Sequence, residues 1–357
     1  MESRWSRWAA ELKVGLTRRL KRQDRIFFVS DLHLADGGPA DLFNGKDAEF
    51  LAFLDHVAEH GDKLVILGDA LDLYVAGSFE RVLRAHKKVL RRLKELADEK
   101  EIFYVAGNHD EEILIFEDLL NFTVVERLVL PPDVLVIHGH EYDAYFQDEE
   151  SNAWGRILAT AHARFEQFVG SPMRAPLATY DNRANRVMHW AAYHVLRGAE
   201  IWAAMLTRFG LRKQARPWLR WVDFWNRSEQ GDMQGLFKQV QKRLPELAYR
   251  TLVCGHTHQP GVVTLGDKTY VNTGTWTRDL TTYVLWDGTT FSCRDWRTGV
   301  TITDELYRPF IERRAPIPLH EWWRRHYRGW FRFHFERDPL ALPLPKVSRL
   351  PSKTSRG

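Results

Sequence analysis

The sequence predicts an α/β fold interrupted by a helical insertion, and three observations carry that expectation. Short apolar runs of strand length alternate with segments of helical spacing: Arg25–Ser30, Leu64–Leu67, Ile102–Val105, Val134–Ile137 and Thr251–Cys254. Each of these five runs ends on Asp, Asn or His, directly or after one or two small residues. The stretch between the fourth and fifth, Gln147–Arg250, has no such run and reads as helices. Open α/β sheets bind ligands outside the carboxyl ends of their strands. Chemistry-bearing residues repeated at that one address are a site, not five coincidences.

Taken in order, Met1–Arg25 reads as an amphipathic helix. Trp5, Trp8, Leu12, Leu16 and Leu20 line one face, and Arg4, Lys13, Arg18, Arg19, Lys21 and Arg22 supply charge. This composition suits an interfacial membrane helix, and equally a helix docked on its own domain. Arg25–Ser30 is the first strand and Asp31-Leu32-His33 follows it. Asp47–His60 is a helix closed by Gly61. Leu64–Leu67 leads into Gly68-Asp69, and Phe79–Lys100 reads as one long helix with a basic solvated face. Ile102–Val105 ends in Gly107-Asn108-His109-Asp110, where the glycine is expected to provide a turn. Val134–Ile137 ends in His138-Gly139-His140, and Thr251–Cys254 in Gly255-His256-Thr257-His258. Tyr270-Val271 leads to Asn272-Thr273, and Tyr283–Trp286 with Phe291–Trp296 reads as a hairpin around Asp287-Gly288. Helices are expected at Ser151–Phe168, Asn182–Arg197, Ile201–Phe209 and Met233–Arg243, punctuated by Pro172, Pro176 and Pro217. Four units result: a basic helix at 1–25, a core at 26–146 and 251–305, a Trp-rich insertion at 147–250, and a basic aromatic tail at 306–357 whose end is expected to be disordered.

Composition narrows the function classes. Two cysteines among 357 residues, Cys254 and Cys293, make no disulfide framework and fit a reducing compartment. No apolar run approaches the ~20 residues that span a bilayer. Met1–Arg25 lacks the apolar centre of a secretory signal. The expected location is the cytoplasm, with peripheral binding to the inner membrane face in view. The formal charge is +4, but Met1–Arg25 carries +5 and Leu306–Gly357 +8, which leaves −9 for the body between. Basic ends on an acidic body suit an anionic partner surface, membrane or nucleic acid.

The strand-end residues are Asp31, His33, Asp69, Asn108, His138, His256 and His258. Carboxylate, imidazole and amide oxygen without thiolate is a donor set for manganese, iron or zinc. Seven donors suit two divalent ions, with Asp69 the natural bridge. Two such ions about 3.5–4 Å apart can clamp a phosphoryl group and make hydroxide available near neutral pH. In this order, Asp31-x-His33, Gly68-Asp69, Gly107-Asn108-His109-Asp110, His138 and Gly255-His256-x-His258 resemble the motif set of the calcineurin-like metallophosphoesterases. The resemblance covers Arg25 to about Trp296, apart from the insertion. It implies a four-layer α/β/β/α sandwich around two mixed sheets. It implies one ion on Asp31, His33, Asp69 and His258, and another on Asp69, Asn108, His138 and His256, sharing a bridging hydroxide. It implies that His109 is the catalytic histidine, which Asp110 is expected to orient. Asp72, His140 and Asn272 are further candidates, for substrate contact or for support of the metal loops.

Within the family, Gly68-Asp69-Ala70-Leu71-Asp72-Leu73 lacks, at Leu73, the phosphate-binding arginine of Ser/Thr protein phosphatases. Ser30-Asp31-Leu32-His33-Leu34, with Gly68-Asp69-Ala70-Leu71-Asp72, is similar to the bacterial UDP-2,3-diacylglucosamine pyrophosphatases, which also carry a helical insertion. His109 stands where that group typically has Arg, and His140 where it has Asp. The resemblance therefore implies hydrolysis of a phosphodiester or pyrophosphate bond, with a lipid or nucleotide sugar as substrate. A nuclease or nucleotide phosphodiesterase using the basic ends is the alternative. A catalytically silent scaffold is a third reading.

Overall fold

The computed structural model describes residues 24–43, 45–111, 113, 121–130, 133–142, 160–162, 164–166, 168–169, 183–230, 236–277, 280–311 and 317–326. Most of the predicted helices at Met1–Arg25 and Ser151–Phe168, and the end of the tail, lie outside the described residues.

Twelve strands are described, in two sheets. The first sheet has the order β12 (Thr301–Ile302), β11 (Phe291–Asp295), β10 (Thr282–Trp286), β1 (Ile26–Val29), β2 (Lys63–Leu67), β3 (Glu101–Val105), β4 (Thr123–Val125). Strands β1 to β4 run parallel, and β10 joins β1 antiparallel. The second sheet has the order β5 (Leu128–Leu130), β6 (Val134–Val136), β7 (Thr251–Cys254), β9 (Lys268–Asn272), β8 (Gly261–Leu265). Within it β6, β7 and β9 are parallel.

Period-two alternation sorts the side chains into layers. From β1, β2 and β3, Ile26, Phe28, Val65, Leu67, Phe103 and Val105 meet Val136, Val253 and Val271 of the second sheet. The opposite face of the first sheet packs on α1 (Asp47–His60) and α4 (Lys87–Glu99): Phe27, Leu64, Ile66 and Ile102 join Phe50, Phe53, Val57, Leu90 and Leu93. The outer face of the second sheet, with Leu252, Cys254 and Tyr270, packs on Phe237 and Val240 of α7 (Leu236–Arg243). Helix, sheet, sheet, helix is the four-layer sandwich expected. Both faces of the central strands are covered, which is why they are apolar runs rather than alternating ones.

Several elements differ from expectation. Phe79–Lys100 is not one helix: α2 (Leu73–Ala76) precedes it, and α3 (Phe79–Ala85) and α4 are broken at His86, where φ is −114° and ψ 32°. His86 is buried, and its ring nitrogens meet Asp41 Oδ2 at 2.9 Å and Asp47 Oδ1 at 3.0 Å. The insertion is less divided than predicted. One helix, α5 (Arg183–Arg208), runs through Gly198, and α6 (Arg212–Glu229) contains Pro217. The proline forfeits one backbone donor in the second turn, while packing against α5 sustains the rest. The start of the tail is packed on the rest of the molecule. Tyr307, just before α8 (Arg308–Ile311), lies in the outer layer of the second sheet. Trp322 and Trp323 of α9 (Leu319–His326) are buried on α5 and α6 with Leu196, Ala199 and Val222.

Candidate metal centre and active site

The parallel strands of both sheets point their carboxyl ends at one place, and backbone hydrogen bonds continue the ladders past them. Asp31 N donates to Gly68 O (3.1 Å) and His33 N to Asp69 O (2.9 Å) in one sheet, and Gly255 N donates to His138 O (2.9 Å) in the other. The chain is unusually bent here. Asp31, His33, Asp69, His256 and His258 all have φ between 52° and 66°. Left-handed backbone is uncommon for such residues, and clusters of it mark functional sites. Asn121 is the remaining non-glycine of this kind among the described residues. Gly107 is outside the left-handed region, but a side chain there would clash, as expected. A Cβ there would stand 2.2 Å from Asp69 Oδ1, so its smallness is what the site uses.

Two donor sets result. In the first, His258 Nε2 lies 3.3 Å from Asp31 Oδ1 and 3.1 Å from His33 Nε2. In the second, His138 Nε2 lies 3.2 Å from Asp69 Oδ2, and His256 joins them; donor atoms within each set lie within 4.8 Å of one another. Asp69 Oδ1 accepts from His109 N at 2.9 Å, and Asp31 Oδ2 accepts from His256 N at 2.9 Å and from Ser30 Oγ. His138 Nδ1 donates to Leu67 O at 2.6 Å, so its Nε2 turns to the site. Hydrogen bonds of this kind orient metal-binding histidines.

Asp31 Oδ1, Asn108 Oδ1 and His138 Nε2 are buried and make no hydrogen bond. Asp31 Oδ1 and His138 Nε2 have only another candidate ligand beside them, His258 and Asp69, and buried polar atoms left so fit a cation. Charge agrees. Burial works against an ionised Asp69, but the neighbouring His138 and His109 hold it well below the usual carboxylate range. Burial likewise works against Asp31, and His258 holds it low. For His138, burial opposes the proton, but Asp69 outweighs it and pushes the imidazole up to about 10. Here the histidines supply the positive charge that keeps these carboxylates ionised, and a divalent ion bound among them would take over that role. Six of the seven residues read as ligands, all but Asn108, fall in these two donor sets.

His109 is partly exposed beside the buried Asn108. Its Nδ1 is 3.1 Å from Asp72 Oδ1, while Asp72 Oδ2 is 3.1 Å from His33 Nδ1. Asp72 also caps α2 through Val75 N. The expected pairing of Asp110 with His109 is therefore corrected: Asp72 faces the His109 ring. Asp110 is fully buried and accepts from Leu71 N, Gly107 N and Tyr104 OH, which makes it the pin of the loop. The sequence missed Tyr74, whose hydroxyl donates to Asn108 O at 2.6 Å and whose ring lies 4.7 Å from that of His109. A Tyr two residues after Asp72 was the available signal. His140 stacks edgewise beside His138 and His256, and burial lowers it to about 4. Asn272 donates to Gly255 O, Thr257 Oγ1 and Tyr270 OH, and accepts from Gly274 N, holding the loop that carries His256 and His258.

The chain is similar to several known proteins. The UDP-2,3-diacylglucosamine hydrolase of Coxiella burnetii is 30% identical over 132 residues, 33% of this chain and 51% of that enzyme. The enzyme of the same name from Shewanella loihica is 35% identical over 83 residues, 23% of this chain and 31% of that one. The chain thus spans about half the length, or less, of the curated relatives it matches. Among solved structures, the phosphoesterase Yfce from E. coli aligns with 78% of this chain and 96% of its own, at 18% identity and a TM-score of 0.35. Residues 24–260 match the family model described as calcineurin-like phosphoesterase, and they contain all seven candidate ligands, so the chain belongs to that family.

Proposed function

We propose that the chain is a metal-dependent hydrolase of a phosphodiester or pyrophosphate bond, acting on a nucleotide-linked lipid of the UDP-diacylglucosamine kind at a membrane surface. The observation that carries the reaction class is the pair of buried donor sets, Asp31 with His33 and His258 and Asp69 with His138 and His256, beside the partly exposed His109. Asp31, His33, Asp69 and His258 would hold one divalent ion, and Asp69, Asn108, His138 and His256 the other; manganese suits these donors, with iron and zinc as alternatives. Such ions supply Lewis acidity toward a phosphoryl oxygen and toward water.

The chain's own residues do the rest. His33 and His138 are held by Asp72 and Leu67 O, so their Nε2 atoms need no reorganisation. His109 gives its Nδ1–H to Asp72, which leaves Nε2 to steady a phosphoryl oxygen or to protonate the leaving oxygen. The lipid substrate is supported by the name of the curated relatives and by the Trp-rich helical insertion. His109→Ala is expected to keep both metals and lose about 10²–10⁴ of turnover. Metal content is read by elemental analysis and rate on bis-nitrophenyl phosphate. Unchanged rate with full metal content would remove His109 from the reaction. A panel of UDP-sugar lipids, simple phosphodiesters and single-stranded DNA tests the substrate, and rapid cleavage of DNA alone would replace the lipid reading by a nuclease.

A further inference from the structure

The helical pair α5–α6 has two unlike ends. At its base, His189 and Glu229 pair in full burial, Trp323 stacks on Tyr193 at 4.9 Å, and Asn226 and Gln230 both donate to Ile317 O. Toward the turn at Gly210 that packing stops. From Ile201 to Trp221, only Ala203 and Ala215 are buried. Ile201, Trp202, Met205, Phe209, Trp218 and Leu219 are 41–74% exposed. Interleaved with them are Arg208, Arg212, Lys213, Arg216 and Arg220, all exposed, and no acidic residue occurs between Glu200 and Asp223.

Water alone does not explain this tip. A run of exposed aromatic and aliphatic side chains of this extent marks an interaction surface. Five cations with no anion among them select an anionic partner. Tryptophans beside arginines and lysines are the composition of the bilayer interface, where rings sit at headgroup depth and basic side chains reach phosphates. An acidic protein face would meet the charges, but it would leave the scattered rings on both helices without a matching groove. We propose that the tip of the α5–α6 arm, residues 201–221, docks on a bilayer surface carrying anionic headgroups. The proposal goes beyond the reading of the substrate, and vesicles free of substrate test it separately.

The test is flotation of the full chain with vesicles of phosphatidylcholine alone and of phosphatidylcholine mixed with phosphatidylglycerol. The parent is expected to float with the mixed vesicles, less so as salt is raised. Arg212→Glu combined with Lys213→Glu and Arg216→Glu is expected to lower partitioning about tenfold or more. Trp202→Ser with Phe209→Ser and Trp218→Ser is expected to do the same even at low salt. Both variants are expected to keep the parent's melting temperature and its rate on soluble bis-nitrophenyl phosphate. Should the aromatic variant melt lower, the charge variant alone decides. Equal flotation of parent and charge variant, or no flotation of the parent, would overturn the proposal. A parent that is dimeric by analytical ultracentrifugation and becomes monomeric in the aromatic variant, with no vesicle binding, would also overturn it and make the tip an interface between copies.

Discussion

Asp72 offers one carboxylate oxygen to each of two histidines, Oδ2 to His33 and Oδ1 to His109, at 3.1 Å in both cases. Burial alone would favour its neutral form, but His109 and His33 hold it well below the usual carboxylate range. Asp72→Asn replaces one of those acceptors by a donor, so one ring must change tautomer or lose its partner. The expected result is a fall in kcat of about 10²-fold with little change in melting temperature. Asp110 is the contrasting case. Burial, and then Asp69, push it up to about 6, yet three donors point at it. Asp110→Asn leaves some of those donors unmatched and is expected to cost about 1–3 kcal/mol of stability, read by denaturant titration, with metal-loaded activity near that of the parent. The reverse pattern, lost turnover for Asp110→Asn and none for Asp72→Asn, would restore Asp110 as the aligner. The seven candidate ligands were legible because each stands within a few residues of the end of an apolar strand. The aligner was not, because Asp72 and His109 are neighbours only in space and Asp110 is the neighbour in sequence. Left-handed φ at five ligands was hidden for a related reason. Asp and His carry no local mark of it, and the strain is imposed by the ladder that continues past each strand.

At the scale of elements, the α3–α4 junction shows how a tertiary contact overrides periodicity. The apolar spacing of Phe79–Lys100 runs unbroken through His86, and nothing local marks a stop. The break comes from Asp41 and Asp47, which take the two ring nitrogens and fix His86 out of helical geometry. Burial disfavours the imidazolium, but the two carboxylates outweigh it and raise the group above its ordinary 6.5. A histidine raised in the folded state contributes stability that is complete below its unfolded value and is lost as pH rises through the folded one. The melting temperature is therefore expected to fall as pH is raised from about 6 toward 9, and His86→Gln is expected to flatten that slope. A slope unchanged by the substitution would assign it to another group. Other misses were readable. The hairpin β8–β9 closes on Gly266-Asp267 with Leu265 opposite Lys268, a two-residue turn of a familiar composition. The helix through Gly198 was not readable, because packing on α6 and α9, absent from the sequence, is what sustains it.

For the whole molecule, the site is the seam between two sheets. Asp31, His33, Asp69 and Asn108 come from the first sheet, and His138, His256 and His258 from the second. Direct bonds across this seam exist: Asp31 Oδ2 accepts from His256 N, and Thr275 Oγ1 donates to Asp31 O. Ser30 Oγ and Thr273 Oγ1 lie 2.6 Å apart. They do not satisfy Asp31 Oδ1, Asn108 Oδ1 or His138 Nε2, which come from β1, β3 and β6. That ligands from both sheets belong together was legible from their type alone; that they form the joint between the sheets follows only from the topology. Metal binding should then count as folding free energy, since the unfolded chain has no such set. An ion at about 100 times its Kd stabilises by about 2.7 kcal/mol, and two ions act together. Stripping the full chain with a chelator is expected to lower its melting temperature by several degrees, and restoring manganese to recover it. Asn108→Ala, which removes one ligand from the second set, is expected to halve the recovered metal and to shrink the shift. Hydrogen exchange locates the effect: amides of β6, β7 and the 255–258 loop are expected to exchange faster without metal, while α1 and α4 keep their protection. An identical melting temperature with and without metal would mean that the two sheets are joined by their apolar faces alone, and that the orphaned ligand atoms are satisfied by something other than a cation.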